Sequence, residues 1–349
     1  MKLKKMLVTS LSLILSSSII VGCSNKGNDS SSGDISSNKV LKICMVTDTG
    51  GVNDESFNQS TWKGLQKIKE EYKNKVDVKY LESKQDADYI PNIETFIDED
   101  ADLIIGVGYK LKPAIEDASK NYPDNNFAII DEQVDANNVN SLLFEDNVSS
   151  YLTGLIAGKM TKTDKVGFIG GIESEVLAKF EYGFKAGVID SNPNAKISTQ
   201  YTNSFSDAAL GKSIANQMYS NGVDVVFTAA GACGTGAIEA AKENNKMAIG
   251  VDQDQNKLAP ENVITSAMKN VDTAVYNISK NLIEGNYEGG QVIVNTLATG
   301  GVGIAPTTKN NVPQEVLDYV DEMEAKIKSG EINVPSNKAE FEKAYPNNK

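Results

Sequence analysis

The chain has no histidine and, across its 349 residues, no arginine. Without histidine the usual general base is missing, and so are the Ser–His and Cys–His nucleophile pairs. Without arginine there is no bidentate clamp for a phosphate, although lysine still meets one as a point charge. Cysteine is scarce, with three copies in no CxxC or Cys/His cluster, so no zinc site is expected. Cys44 lies in an apolar run and Cys233 in a glycine-rich loop, and a disulfide between them is the minor alternative. Positive charge is also short: the formal net charge is −13. A nucleic-acid surface needs a basic footprint, and none is visible. Beyond the N-terminus there is no long apolar run of the ~20 residues that a membrane span requires.

What the N-terminus does contain is specific. Three lysines within Met1–Lys5 precede "MLVTSLSLILSSSIIV" (6–21), and "IVGC" ends at Cys23. This is the pattern of a secretory signal peptide (1–22) closed by a bacterial lipobox, with Cys23 as the lipidated first residue. Loss of those three lysines takes the mature charge to −16. "SNKGNDSSSGDISSN" (24–38) is rich in Ser, Gly and Asn and reads as a flexible tether, so residues 23–38 form a lipidated linker. The chain is expected to sit on the extracytoplasmic face of the bacterial cell membrane, anchored by lipid without spanning it.

From about residue 39 onward, short apolar runs alternate with patterns of period near 3.6. "VLKICMVT" (40–47), "VDVKYL" (76–81), "DLIIGVG" (102–108) and "FAIID" (127–131) read as strands. So do "KVGFIGG" (165–171), "AKISTQYT" (195–202), "VDVVFTAA" (223–230) and "KMAIGVD" (246–252). Phe57, Thr61, Leu65, Ile68 and Tyr72 mark one intervening helix. The alternation predicts an α/β fold of parallel sheets covered by helices on both faces. Two such series suggest two doubly wound lobes with a hinge and a cleft. Residues 39–146 plus about 270–305 are assigned to lobe 1 and 147–269 to lobe 2. "NVITSAMK" (262–269) is a candidate return crossing, and "QVIVNTL" (291–297) a strand rejoining lobe 1. Residues 306–349 supply a last helix and a polar tail.

Ligands of parallel α/β sheets bind at the carboxyl ends of strands. Asp48, Asp131 and Asp252 fall there. A strand-end Asp is also a common helix cap, but three in corresponding positions favour a site. Carboxylates suit a donor-rich ligand such as a sugar diol or ring N–H and amino groups. Regular spacing of calcium ligands is absent from "DTGGVNDES" and "DQDQN". Asn53 or Asp54 is placed to cap a helix starting near Glu55 or Ser56, with Phe57 and Asn58 in its first turn. Phe57 either stacks on a flat ligand or belongs to the helix core, and Asn58 can donate and accept. "TGGVND" lacks the phosphate-loop pattern, and its acids would repel phosphate. "GACGTGA" (231–237) is a second glycine-rich turn, either open to close ligand approach or simply tight.

The run Asp48-Thr-Gly-Gly-Val-Asn-Asp-Glu-Ser-Phe-Asn-Gln resembles the N-terminal signature of the basic membrane protein (Bmp) lipoproteins, a family that includes purine nucleoside receptor lipoproteins of ABC importers. "FEDNVSSYLTGLIAGKMT", "KFEYGFKAG", "NSFSDAALGK", "AAGACGTGAIEAA", "AIGVDQDQ" and "TSAMK" extend the likeness in order from about residue 40 to 305. The resemblance implies a type I periplasmic-binding-protein fold with a nucleoside (guanosine, inosine or adenosine) in the cleft, no cofactor, no catalytic residue and no metal. It implies an ABC permease and ATPase as partners, and a monomer. By matching positions, Phe57 becomes the base-stacking aromatic. Asn58 and Asp131 become base-reading groups with Asp48 beside them, and Asp252 accepts from the ribose diol. Gly231 falls in the glycine-rich turn and Lys269 near the sugar end. Phe180 is the second stacking ring, with Phe205 in reserve. Cys233 and the segment "FEDNVSSYLTG" depart from the expected pattern. A sugar or signalling-molecule receptor of the same fold is the alternative, and a nucleoside-cleaving enzyme using Asp48 and Asp131 the next. A surface adhesin or immunogenic role is compatible with the first reading.

Overall fold

A computed structural model describes residues 39–347. The signal peptide, Cys23 and the tether lie outside the described residues. The chain opens with β1 (Leu41–Val46), α1 (Phe57–Tyr72), β2 (Val76–Leu81), α2 (Tyr89–Asp98), β3 (Leu103–Val107), α3 (Lys112–Asn121), β4 (Phe127–Ile130) and β5 (Val139–Phe144). It continues through α4 (Asp146–Met160), β6 (Lys165–Gly170), α5 (Glu175–Ser191), β7 (Lys196–Tyr201), α6 (Ala208–Ser220), β8 (Val225–Ala229), α7 (Ala232–Glu243), β9 (Met247–Asp252) and β10 (Val263–Lys269). It closes with α8 (Val271–Ile283), β11 (Val292–Asn295), β12 (Val302–Ile304), α9 (Gln314–Lys328) and α10 (Lys338–Ala344).

These strands form two six-stranded sheets, ordered β11-β5-β4-β3-β1-β2 and β12-β10-β9-β8-β6-β7. All pairings are parallel except β10 with β12. The orders match position for position, so β4 corresponds to β9 and β3 to β8. Three segments pass between the sheets: β5 to α4, β10 to α8, and β11 to β12. "NVITSAMK" is thus a strand of the second sheet, with the crossing just after it. Residues 291–297 do return a strand to the first sheet. Residues 302–304, grouped with lobe 1 on sequence, pair instead with β10, because Lys269 and Ala267 offer them a free ladder edge.

Alternation along β1 shows why both faces are covered. Ile43 and Met45 pack with Leu65 and Ile68 of α1, while Cys44 and Val46 pack with Ile93 and Phe96 of α2 and Ile115 of α3. Each such fully buried aliphatic contributes about 1.5–3 kcal/mol. Cys44 and Cys233 are free buried thiols, so no disulfide joins them. In the second lobe α4 and α5 touch backbone to backbone. A Cβ on Gly154 would lie 2.3 Å from the Phe184 carbonyl oxygen, and one on Gly187 2.0 Å from that of Tyr151. Only glycine allows that approach. The C-terminal segment docks on this pair through α9 against α4 and α10 against α5. No helix among the described residues is long and apolar enough to cross a membrane.

Candidate functional site

A cavity of about 60 Å³ lies between the carboxyl ends of the two sheets. It is smaller than the ~300–1,000 Å³ typical of small-molecule sites, as in a cleft whose lobes are drawn together. Asp48, Phe57, Asn58, Asp131, Phe180, Phe205, Gly231, Asp252 and Lys269 all line it. The structure therefore gathers every candidate of the cleft that the sequence pointed to, including both Phe180 and Phe205.

The matching sheet orders put like residues in like places. Asp131 follows β4 and Asp252 ends β9. Both adopt left-handed backbone, with φ of 71° and 65°. Such conformations cost roughly 1–2 kcal/mol outside glycine, least for Asp and Asn, and collect at functional sites. Gly108 after β3 and Gly231 after β8 are a second pair, at φ of 108° and 55°. Both line the cavity. A Cβ on Gly231 would lie 2.9 Å from the Phe205 carbonyl oxygen.

The loop after β1 is organised by two carboxylates. Asp54 accepts from the backbone N–H groups of Ser56 (2.9 Å), Asn58 (2.8 Å) and Gln59 (3.0 Å). It thus satisfies the first-turn donors of α1, as a capping carboxylate does. Asn58 Nδ2 donates to Asp48 Oδ1 at 2.7 Å and to Asp54 Oδ2 at 3.0 Å. Its Oδ1 accepts from the Asp48 N–H at 3.3 Å. Asn58 is on the cavity wall, and its amide is bonded to both loop residues, Asp48 and Asp54. Gly50 N–H adds a bond to Asp48 Oδ1 at 2.8 Å. Burial pushes the Asp48 carboxyl up to about 6 despite the bonds from Asn58 and Gly50. Phe57 is half-buried at the start of α1, against both the core and the cavity.

Lys269 is the electrostatic centre. Its side chain is 1% exposed, and Nζ lies 2.5 Å from Asp131 and 3.1 Å from Asp146. It also stands over the rings of Phe57 (5.2 Å), Phe144 (5.0 Å) and Phe180 (5.4 Å). Burial alone would drive its pKa down, but Asp131, Asp146 and Asp252 outweigh that and raise it. Burial lifts Asp252 to about 7, opposed by Lys269 and by the Ser56 hydroxyl that donates to it. Burial likewise lifts Asp146 to about 6, again opposed by Lys269. Lys269 comes from β10 and Asp131 follows β4, so this ion pair spans the cleft.

Sequence reasoning missed Asp54 as the organiser of Asn58, and it missed Asp146, Ser56 and Tyr109. Asp146 sat unremarked in "FEDN", and only the fold shows it opening α4 beneath Lys269. Tyr109 in "GVGYK" carried one signal: it follows a glycine at a strand end, the place where this fold puts its ligands.

The family model of PnrA-like ABC transporter substrate-binding proteins, Bmp, matches residues 41–338. Among curated proteins, the chain is 44% identical over 353 aligned positions to the "CD4+ T-cell-stimulating antigen" of Listeria innocua, covering 95% of this chain and 99% of the relative. It is 38% identical to the "ABC transporter nucleoside-binding protein BmpA" of Lactococcus lactis, at the same coverage. It is 39% identical to "Basic membrane protein A" of Borreliella burgdorferi, over 95% of this chain and 97% of the relative. A solved ABC transporter solute-binding protein of Aeropyrum pernix superposes with a TM-score of 0.79 at 26% identity, covering 88% of this chain and 96% of that one. The arabinose-binding protein AraP of Geobacillus stearothermophilus shares the fold at a TM-score of 0.58 and 16% identity, over 81% of this chain and 99% of its own. Two matched α/β lobes around a hinged cleft make this a type I periplasmic-binding-protein fold, and the chain belongs to the Bmp family of PnrA-like ABC transporter substrate-binding proteins.

Proposed function

We propose that the cleft binds a purine nucleoside and that the protein hands it to a membrane permease and its ATPase for uptake. The observation that carries this is the pairing of flat and acidic surfaces. Phe57 from one lobe and Phe180 from the other flank one cavity, with Asp48 and Asp252 as acceptors on its walls. A base stacked between rings gains about 1–3 kcal/mol. A ribose diol donating to Asp252 makes charge-assisted bonds, and Asp48 accepts from a base N–H or amino group. Phe205 is the reserve for the second stacking face. Lys269 tethers Asp131 and, with Gly231, closes the sugar side. The nucleoside-binding name of the Lactococcus relative points the same way. The protein acts as a monomer anchored through lipidated Cys23 on the extracytoplasmic face of the cell membrane. Intact ligand is expected back after long incubation, as for a carrier and not for an enzyme.

The test is titration of the mature domain with guanosine, inosine, adenosine, cytidine and ribose, by calorimetry and by Trp62 fluorescence. Trp62 lies on α1, five residues after Phe57, and packs edge-on to Tyr80 at 4.9 Å. Purine nucleosides should bind and ribose far more weakly. No binding of any nucleoside at millimolar concentration, or ribose as tight as inosine, refutes the proposal.

A further inference from the structure

Among the cavity-lining side chains, the Tyr109 hydroxyl is sealed from solvent and has no hydrogen-bond partner. A buried hydroxyl without a partner forfeits its whole hydration, and native interiors rarely keep one without cause. The Ser174 hydroxyl, on the second lobe, is close enough to favour the phenolate but does not meet the Tyr109 hydroxyl in hydrogen-bond geometry; its Oγ accepts from the Leu177 N–H at 3.2 Å.

Tyr109 belongs to the Asp48 end of the cavity. It follows Gly108, where a Cβ would stand 3.5 Å from the Phe57 ring and 3.6 Å from Asp48 Oδ2. The other donors nearby are committed. Asn58 gives Nδ2 to Asp48 and Asp54. Lys269 gives its ammonium to Asp131 and Asp146. Asp48 Oδ2 remains as an acceptor and Tyr109 as a donor. Burial above all keeps the phenol protonated; the neighbouring Ser174 hydroxyl opposes it, and the charges of Asp48, Asp86 and Asp131 add to burial.

We infer that the Tyr109 hydroxyl is a specificity-determining donor, pairing with an acceptor on the edge of the ligand's base while Asp48 accepts from a donor beside it. This rests on the nucleoside reading of the cavity. A base edge that offers donor and acceptor side by side satisfies both groups. Hypoxanthine and guanine do so with N1–H and O6, and adenine with its amino group and N1 or N7. A sugar without a base offers the Tyr109 hydroxyl no such acceptor.

Tyr109→Phe removes only the oxygen. Wild type and variant are titrated with inosine, 7-deazainosine and purine riboside, and with adenosine and its 1-deaza and 7-deaza analogues. The expected result is about tenfold weaker inosine and adenosine binding, the equivalent of one net hydrogen bond. For each series the loss should vanish with the one analogue that lacks the paired acceptor. The melting temperature without added ligand should stay the same or rise, because the hydroxyl makes no hydrogen bond within the protein. An equal loss for every ligand with a lower melting temperature, reproduced by Ser174→Ala, overturns the inference and makes the hydroxyl a lobe contact. No change with any ligand also overturns it, leaving nucleoside binding intact. A wild type that binds no nucleoside removes both.

Discussion

Phe57 is the ring that the first lobe brings to the cavity from a helix start, and the proposed nucleoside reading makes it the stacking face for the base. Phe57→Ala should weaken inosine binding by roughly 5- to 150-fold, the range of one lost stacking contact. Since the ring is only half-buried, melting should fall by no more than a few degrees; a large stability loss with unchanged affinity would return Phe57 to the core. Asp252 supports a second prediction. Its carboxyl is raised to about 7 by burial, opposed by Lys269 and Ser56, so folding takes up a proton that the unfolded chain releases near 4. Its contribution to stability is therefore largest at low pH and is lost as pH rises through about 7. Asp48 and Asp146, each raised to about 6 by burial, act in the same direction. A diol donating to Asp252 needs the ionised form, so ligand binding expels the proton. The unliganded melting temperature should fall between pH 5.5 and 8, while the gain on adding inosine grows over that interval. Asp252→Asn should flatten both trends near pH 7. Asp48, Asp131 and Asp252 were legible because strand ends are legible. Tyr109's lone hydroxyl and Asn58's committed amide were not, since both depend on which groups a folded loop brings near.

Where α1 begins, the segment after β9 closes on it, and the two elements form a latch between the lobes. Gln253 Nε2 donates to the Ser56 carbonyl at 3.2 Å and to Gln59 Oε1 at 3.0 Å. Gln255 Nε2 donates to the Glu55 carbonyl at 2.8 Å, while its Oε1 accepts from the Val251 N–H at 2.9 Å. Opening the cleft breaks every bond that crosses it. Gln253→Ala should therefore favour the open form and weaken nucleoside binding about 3- to 10-fold, as expected for one or two net hydrogen bonds. Small-angle scattering should show a larger unliganded radius of gyration and an unchanged liganded one; equal radii in both states would refute the latch. Lys257 and Glu55 also meet, at 2.5 Å, but with 57% and 33% of their side chains exposed. Such a pair contributes little, so Lys257→Ala should change affinity less than threefold. The elements that sequence showed best were the continuous apolar strands. β5, "VNSLLF", was missed because Asn140 and Ser141 interrupt its apolar run, and both are buried by partners from elsewhere: Asn140 holds the Glu288 carbonyl and the Gln291 N–H, and Ser141 the Val134 N–H. β12 is three residues long and owes its existence to β10. α10, in what reads as a polar tail, is pinned by Phe341, 5.5 Å from the Tyr182 ring.

At the scale of the whole molecule, two lobes of matching strand order meet over one buried ammonium. The two-lobe plan was legible because the strand–helix rhythm runs twice along the chain. The convergence of Asp131, Asp146 and Asp252 on Lys269 was not, because these residues are brought together by crossings whose geometry no local pattern encodes. Lys269 holds three buried carboxylates in one low-dielectric space, and two of them contact it directly. Replacing it with methionine keeps the bulk and removes the charge. Breaking a buried ion pair from one side costs about 3–5 kcal/mol. For a chain of this size that lowers the melting temperature by roughly 6–15 °C. The pH dependence separates electrostatics from packing. With the ammonium gone, the carboxylates relieve their repulsion and burial by taking up protons, so the deficit relative to wild type should be greatest near pH 8 and shrink toward pH 5. Lys269→Met combined with Asp131→Asn, which removes one of the stranded charges, should recover part of the loss at pH 8 and little at pH 5. A deficit of equal size at both pH values, unaffected by Asp131→Asn, would mean that Lys269 matters as a packed side chain and that the cleft is not held together by its charge.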